Sequence, residues 1–198
     1  MSRSRLRSVV AMLIVGVVSG APGSAGAGEA QVIACPDGSS GFSFPAGTVV
    51  KGDVVVRPGI YCSLLGVTVR GDVHAQPGAA YLAVDLGTVI KGNVTGSEMP
   101  SVVLQTARIK GFIELHNISD VVNMVGPVVE GDVEVTASSI VVLFSSEVKG
   151  DATFNGNQTV IVGDNRVRGT LNCAANVTVS LPQPNTVRGG AFGQCATL

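Results

Sequence analysis

The chain is 198 residues long, with 26 glycines, no tryptophan, only 4% aromatic residues and a formal net charge of −1. So small a charge argues against nucleic acid as a partner. A composition rich in Val and Gly and poor in aromatics suits sheets built of narrow β-branched layers.

Residues 1–27 read as a secretory signal peptide. Arg3, Arg5 and Arg7 open it, Val9 to Val18 is a short apolar run, and Ala25-Gly26-Ala27 suits signal peptidase. The run is too short to span a membrane, so no membrane association is expected beyond the signal. Loss of those three arginines, with no acidic residue, takes the net charge from −1 to −4. The remaining 171 residues (198 − 27) suffice for one domain with a continuous core. Residues 28–47 are expected to cap the first coil. Within them Val32-Ile33-Ala34-Cys35 has the form of a lipoprotein attachment box, but small and polar residues 19–31 separate it from the apolar run, which argues against lipidation.

Residues 48–192 repeat one phrase: an apolar residue, any residue, a charged residue, Gly, often Asp, then an apolar residue. The repeated glycines are Gly52, Gly71, Gly92, Gly111, Gly131, Gly150, Gly169 and Gly189, at steps of 19, 21, 19, 20, 19, 19 and 20 residues. A period this regular means stacked coils that each bury the apolar face of the next. Val or Ile stands two residues before every glycine, and apolar or small residues stand two and four after it. On one strand these positions share a face, so they are expected to form inward ladders. The glycine falls on the same inward phase, a bend where a side chain would crowd the interior or an unusual dihedral is needed. A second apolar run follows in each coil, from Tyr61–Leu65 to Val177–Val179, with turn residues such as Arg57-Pro58-Gly59 between runs. The fold expected is all-β: a single-domain parallel β-helix (β-solenoid) of about eight coils of 19–21 residues, closed by a C-terminal cap at 193–198.

The residue before each glycine points outward and is usually cationic: Lys51, Arg70, Lys91, Lys110, Lys149, Arg168 and Arg188, with Glu130 the exception. This stripe is a candidate binding surface for an anionic polymer. Asp53, Asp72, Asp132 and Asp151, just after the glycines, are expected to offset it. Arg70-Gly71-Asp72 spells an adhesion tripeptide, which a strand presents poorly. Asn93, Asn117, Asn157 and Asn176 begin glycosylation sequons, though the signal and composition read as bacterial. Cys35, Cys62, Cys173 and Cys195 are an even set in an exported chain, which favours disulfides over metal or redox sites. In a solenoid only end-local pairs are within reach, Cys35–Cys62 and Cys173–Cys195, one staple near each end.

Arg108-Ile109-Lys110 resembles a short element of polygalacturonase-like hydrolases, but lacks the paired aspartates and Gly-His-Gly that accompany it there. His74 and His116 fall at outward positions with no nucleophile or metal partner. No Ser-His-Asp, Cys-His or HExxH pattern exists, and no catalytic residue, metal ligand or cofactor is assigned.

The C-terminal stretch GNQTVIVGDNRVRGTLNCAANVTVSLPQPNTVRGGAFGQC resembles the ends of small secreted actinobacterial β-helix-repeat proteins of undefined function, which also carry two late cysteines. The Gly-Asp-Val phrase resembles bactofilins, polymer-forming β-helix proteins that lie on the cytoplasmic side and lack disulfides. The first resemblance implies export and the fold; the second implies self-assembly as an alternative role. The reading is therefore a secreted, non-catalytic β-helix, a scaffold or weak cell-envelope polysaccharide-binding surface, monomeric rather than polymeric. A polysaccharide lyase or hydrolase is the first alternative and a bactofilin-like polymer the second.

Overall fold

The computed structural model describes residues 31–196. The expected signal peptide, residues 28–30 of the N-terminal segment and residues 197–198 lie outside them. Each repeat crosses three parallel sheets, here called A, B and C. In the second coil, Thr68–Val69 lies in sheet B, Val73–Ala75 in sheet A and Tyr81–Asp85 in sheet C. Sheet A has nine strands, sheet B eight and sheet C seven, each strand paired with its counterpart one coil away. The result is a β-solenoid of about nine turns. The added turn comes from the N-terminal segment, which does more than cap: Val32–Ala34 pairs in parallel with Asp53–Val55.

The glycine is a bend, as expected, but the bend is a full corner: the chain breaks there, from sheet B into sheet A, so the apolar positions on either side of it lie on two strands and not on one. The inward ladders survive because the corner preserves alternation: Val50 and Val54 are both buried although they belong to different sheets. Between the corners the interior is aliphatic apart from Phe154 and the disulfide-bonded cysteines, with Leu64, Leu82, Leu104, Met124 and Leu143 from sheet C meeting the sheet A and B ladders. Gly96, the smallest ladder position, is closed over by Leu115 and Met99.

The corner glycines also have a different cause from the two expected. None of the eight has a positive φ. A Cβ there would strike the coil below, not the interior: at Gly150 it would lie 2.7 Å from the carbonyl oxygen of Gly131, and at Gly111 2.7 Å from that of Gly92. Consecutive glycines stack peptide on peptide, each N–H donating to the glycine carbonyl one coil earlier, as from Gly111 to Gly92 at 3.0 Å. Any side chain would hold the coils apart.

The aspartate after the glycine completes the corner. Asp72 N–H donates to Asp53 Oδ1 at 2.8 Å, Asn93 N–H to Asp72 Oδ1 at 2.7 Å, and Phe112 N–H to Asn93 Oδ1 at 3.0 Å. The ladder resumes from Asp132 to Asp151 and from Asp151 to Thr170. Phe112 has no acceptor to offer, so the side-chain ladder is interrupted at the next coil.

The other two corners change character along the axis. Between sheets A and C the inward corner residue is Ala79, Met99 and Ile118, then Ser138, Asn157 and Asn176. Ser138 N–H donates to Asn157 Oδ1 at 2.9 Å, Asn157 N–H to Asn176 Oδ1 at 2.9 Å, and Asn176 N–H to Gln194 Oε1 at 2.9 Å. Between sheets C and B, Ser146, Asn165 and Asn185 repeat the device. Buried amides satisfy backbone groups that would otherwise cost about 1–3 kcal/mol each. Asn157 and Asn176 are therefore structural, and their burial removes them as glycosylation acceptors.

Both ends are stapled by the expected pairs. Cys35–Cys62 has Cα atoms 5.9 Å apart and Cys173–Cys195 5.2 Å. The sulfur of Cys35 is taken up in the first of these bonds. Residues 37–48 fold across the first coil, with Gly38 N–H donating to Tyr61 O, Ser43 N–H to Ser63 O and Gly47 N–H to Gly66 O. A 3₁₀ turn, Gln194–Ala196, seats the buried Cys195 at the other end.

Two outcomes test this packing. Gly150→Ala should cost about 1–3 kcal/mol through overpacking, read as a drop of several degrees in thermal midpoint; an unchanged midpoint would refute the stacked-glycine account. Peptide mapping without reduction should recover only the two end-local disulfides, and a bridge from either N-terminal cysteine to Cys173 or Cys195 within one chain would rule out the solenoid.

Candidate functional site

Strand alternation puts one set of side chains inside and leaves the other on three outer faces. The three faces differ in chemistry. Every lysine and arginine among the described residues except Arg57 stands on sheet B or on the glycine corner that follows it. The strands of sheet A carry Asp53, Glu114 and Glu134 and no lysine or arginine, with Asp72, Asp132 and Asp151 at the corner that leads into them. The strands of sheet C carry a single charge, Asp85.

The candidate cationic stripe forms one in-register column along the glycine corner, because Arg70 N–H donates to Val50 O, Lys91 N–H to Val69 O and Lys110 N–H to Ile90 O. The expected offset by the neighbouring aspartates is not how the column is built, since those carboxylates face backbone amides. The acids that pair with the basic face are glutamates. Glu130 Oε1 lies 3.6 Å from Lys149 Nζ and 3.8 Å from Arg108 Nε. Glu147 Oε1 accepts from Arg168 Nη2 at 2.7 Å. That hydrogen bond to the Arg168 guanidinium holds the Glu147 carboxyl below its ordinary value. A depressed carboxylate pKa means this pair contributes fully above the ordinary carboxylate range and is lost as pH falls through the lowered value; its exposure keeps the contribution small. The column thus divides. Lys149 and Arg168 are paired, while Lys51, Arg70, Lys91 and Lys110 have no carboxylate within ion-pair distance among the described residues. Arg188 stands exposed on the last coil. In the adhesion tripeptide, the Asp72 carboxylate is held by the Asn93 N–H, so it is not displayed for a receptor.

Sheet A brings together residues that sequence reasoning did not group. Glu114 pairs in register with Glu134, and Asp132 lies two residues before Glu134 on the same face. His116 Nε2 is 2.9 Å from Glu114 Oε1, and its Nδ1 meets Thr136 Oγ1. These acids border a shallow open depression of about 240 Å³ beside Phe112. Aligning the third residue after each glycine would have found the pair; attention to aspartates alone did not. His74 is solitary, its Nδ1 2.8 Å from Thr95 Oγ1. Two further concavities, of about 330 and 430 Å³, are open grooves at corners, the first lined by turn residues and by Val128, Glu147, Arg166 and Thr186 of sheet B.

No helix among the described residues is long and apolar enough to cross a membrane. The two disulfides fit an oxidising, extracellular setting. No family model, curated protein or solved structure matches the chain.

Proposed function

We propose that the protein is an exported, non-catalytic β-solenoid scaffold whose basic face holds an acidic polysaccharide of the cell envelope. The observation that carries this reading is the column of Lys51, Arg70, Lys91 and Lys110, four cations on consecutive coils with no carboxylate at ion-pair distance among the described residues. Coils repeat every ~4.8 Å, so these charges repel one another along a line. A polymer carrying closely spaced carboxylates relieves that repulsion at every coil, whereas a small anion relieves it at one. The contacts are solvent-exposed, so binding is weak per site, cumulative and salt-sensitive.

Glycan cleavage is the second reading, favoured by the Glu114–Glu134 pair. Most glycosidases work with two carboxyl groups about 5–9.5 Å apart, and these two stand on neighbouring strands. Filament formation, the alternative from the bactofilin resemblance, meets an obstacle at the C-terminal edge, where Pro182 and Pro184 follow the last strand of sheet C, Thr178–Ser180. Prolines blunt a strand edge.

Immobilised polygalacturonate tests the proposal. The protein should be retained at ~50 mM salt and released by ~0.5 M. The combined variant K51Q/R70Q/K91Q/K110Q should bind about tenfold more weakly or worse. Equal retention of that variant would sink the reading. Shortening of the polymer, abolished by Glu114→Gln or Glu134→Gln, would replace it with the hydrolase or lyase.

A further inference from the structure

The four unpaired cations of the basic face do not run its full length, and a single residue ends them. Their column continues through Glu130, Lys149 and Arg168: Glu130 N–H donates to Ile109 O at 2.8 Å, Lys149 N–H to Val129 O at 2.9 Å and Arg168 N–H to Val148 O at 2.9 Å. Glu130 therefore stands one coil beyond Lys110, at a place where the other coils put a lysine or arginine. Lys51, Arg70, Lys91 and Lys110 are exposed, whereas Glu130 and Lys149 are half-buried.

The Glu130 carboxylate withdraws more than its own position. Its Oε1 lies 3.6 Å from Lys149 Nζ in the next coil and 3.8 Å from Arg108 Nε in the coil before. It thus engages a cation on each side and adds a charge that repels any polyanion lying along the column. Beyond it Arg168 is held by Glu147 at 2.7 Å. The first coils are built differently. The strand residues beside Lys51, Arg70 and Lys91 are Val49, Thr68 and Val89, in register and uncharged. The acids next in sequence, Asp53 and Asp72, accept from backbone N–H groups.

From this division we infer that the basic face is a site of fixed length, Lys51 to Lys110, which takes a run of four adjacent uronic acids along the solenoid axis. Glu130 is the specificity-determining residue that ends it. The inference rests on the polysaccharide reading and adds to it a length and a stop. Four cations on consecutive coils cover three steps of ~4.8 Å, or ~14 Å. A pyranose ring in an extended chain advances about as far as one coil, so one carboxylate falls to each cation. Val49, Thr68 and Val89 line the same stretch with methyl groups, against which the C–H faces of the rings can lie. In the C-terminal half a polymer has to displace Glu130 or Glu147 from its partners. That exchange trades one carboxylate for another and gains little. Were Glu130 only a tie between coils, its removal would not distinguish short ligands from long ones.

The test is competition against immobilised polygalacturonate, at ~50 mM salt, by galacturonic acid oligomers of two, four and eight residues. On the wild-type protein each residue up to four should tighten competition about two- to fivefold. The octamer should exceed the tetramer by no more than about fivefold, the number of registers in which eight residues present four (8 − 4 + 1). Glu130→Gln extends the unpaired column to Lys149 and releases Arg108. The octamer should then bind about tenfold more tightly than to wild type, and the dimer less than about twofold more tightly. Glu147→Gln removes the same charge from the same face beyond the stop, and should move neither ligand by more than about twofold. Both variants should keep the wild-type far-ultraviolet dichroism. A wild-type octamer about 30-fold or more better than the tetramer would overturn the inference and leave the polysaccharide reading in place. So would an octamer that gains nothing from Glu130→Gln, a dimer that gains as much as the octamer, or an equal gain from Glu147→Gln. If polygalacturonate holds neither wild type nor Glu130→Gln, the polysaccharide reading fails and the inference with it.

Discussion

The structure depends on how closely one coil approaches the next at the glycine corner. There the peptide of each glycine lies on that of the coil before, with Gly131 N–H donating to Gly111 O at 3.1 Å and Gly150 N–H to Gly131 O at 3.2 Å. A Cβ there would come within 3.0 Å of the chain one coil before, so any residue but glycine must push the coils apart. The following Asp or Asn then reaches along the axis to accept the next coil's N–H, locking the stack in one register. A slip of one residue would turn every inward valine outward. The corner therefore fixes the aliphatic interior, although it contributes no apolar area to it.

Fixed register is also what makes the surface chemical. A residue type repeated once per coil becomes a continuous line, and three sides become three different materials: basic on B, acidic and polar on A, apolar on C. The segregation has a cost on the basic side, where like charges stand one coil apart. Glu130 and Glu147 relieve it in the C-terminal half, through Arg108, Lys149 and Arg168. The N-terminal half has no such relief among the described residues. The interior shows the reverse gradient of means: apolar corners at Met99 and Ile118 give way to amide ladders at Asn157 and Asn176, which tie the last coils to Gln194. Each end then receives a disulfide, where a solenoid has fewest neighbours.

The period, the parallel stack, the inward ladders and the cysteine pairing were legible in the sequence because each follows from spacing alone. At Gly52 and its equivalents a bend was legible, but not the change of sheet. A two-residue strand followed by a corner leaves Val50 and Val54 in the same inward phase, so the pattern of alternation looks continuous. The role of Asp53 and Asp72 was hidden because an acid beside Lys or Arg reads as half of an ion pair, and only geometry shows it turned along the axis to an amide. Asn157 and Asn176 read as sequons for a related reason, since burial of a polar side chain leaves no mark in a turn-rich segment. The outer face of sheet C was legible only in part: runs such as Ile140–Phe144 are apolar at every position, which on an alternating strand puts apolar side chains on both sides, but Ser63, Ser101, Asn123 and Thr159 break that pattern in other coils.

The interrupted corner ladder offers the most direct check on this account. Amide hydrogen exchange should show protection at Asp72, Asn93, Phe112, Asp151 and Thr170, whose N–H groups each donate to the carboxylate or amide oxygen of the preceding coil. The Asp132 amide follows Phe112 in the column, has no such acceptor, and should exchange fast. Equal exchange at Asp132 and its five counterparts would contradict the claim that the Gly-Asp corner holds the coils in register.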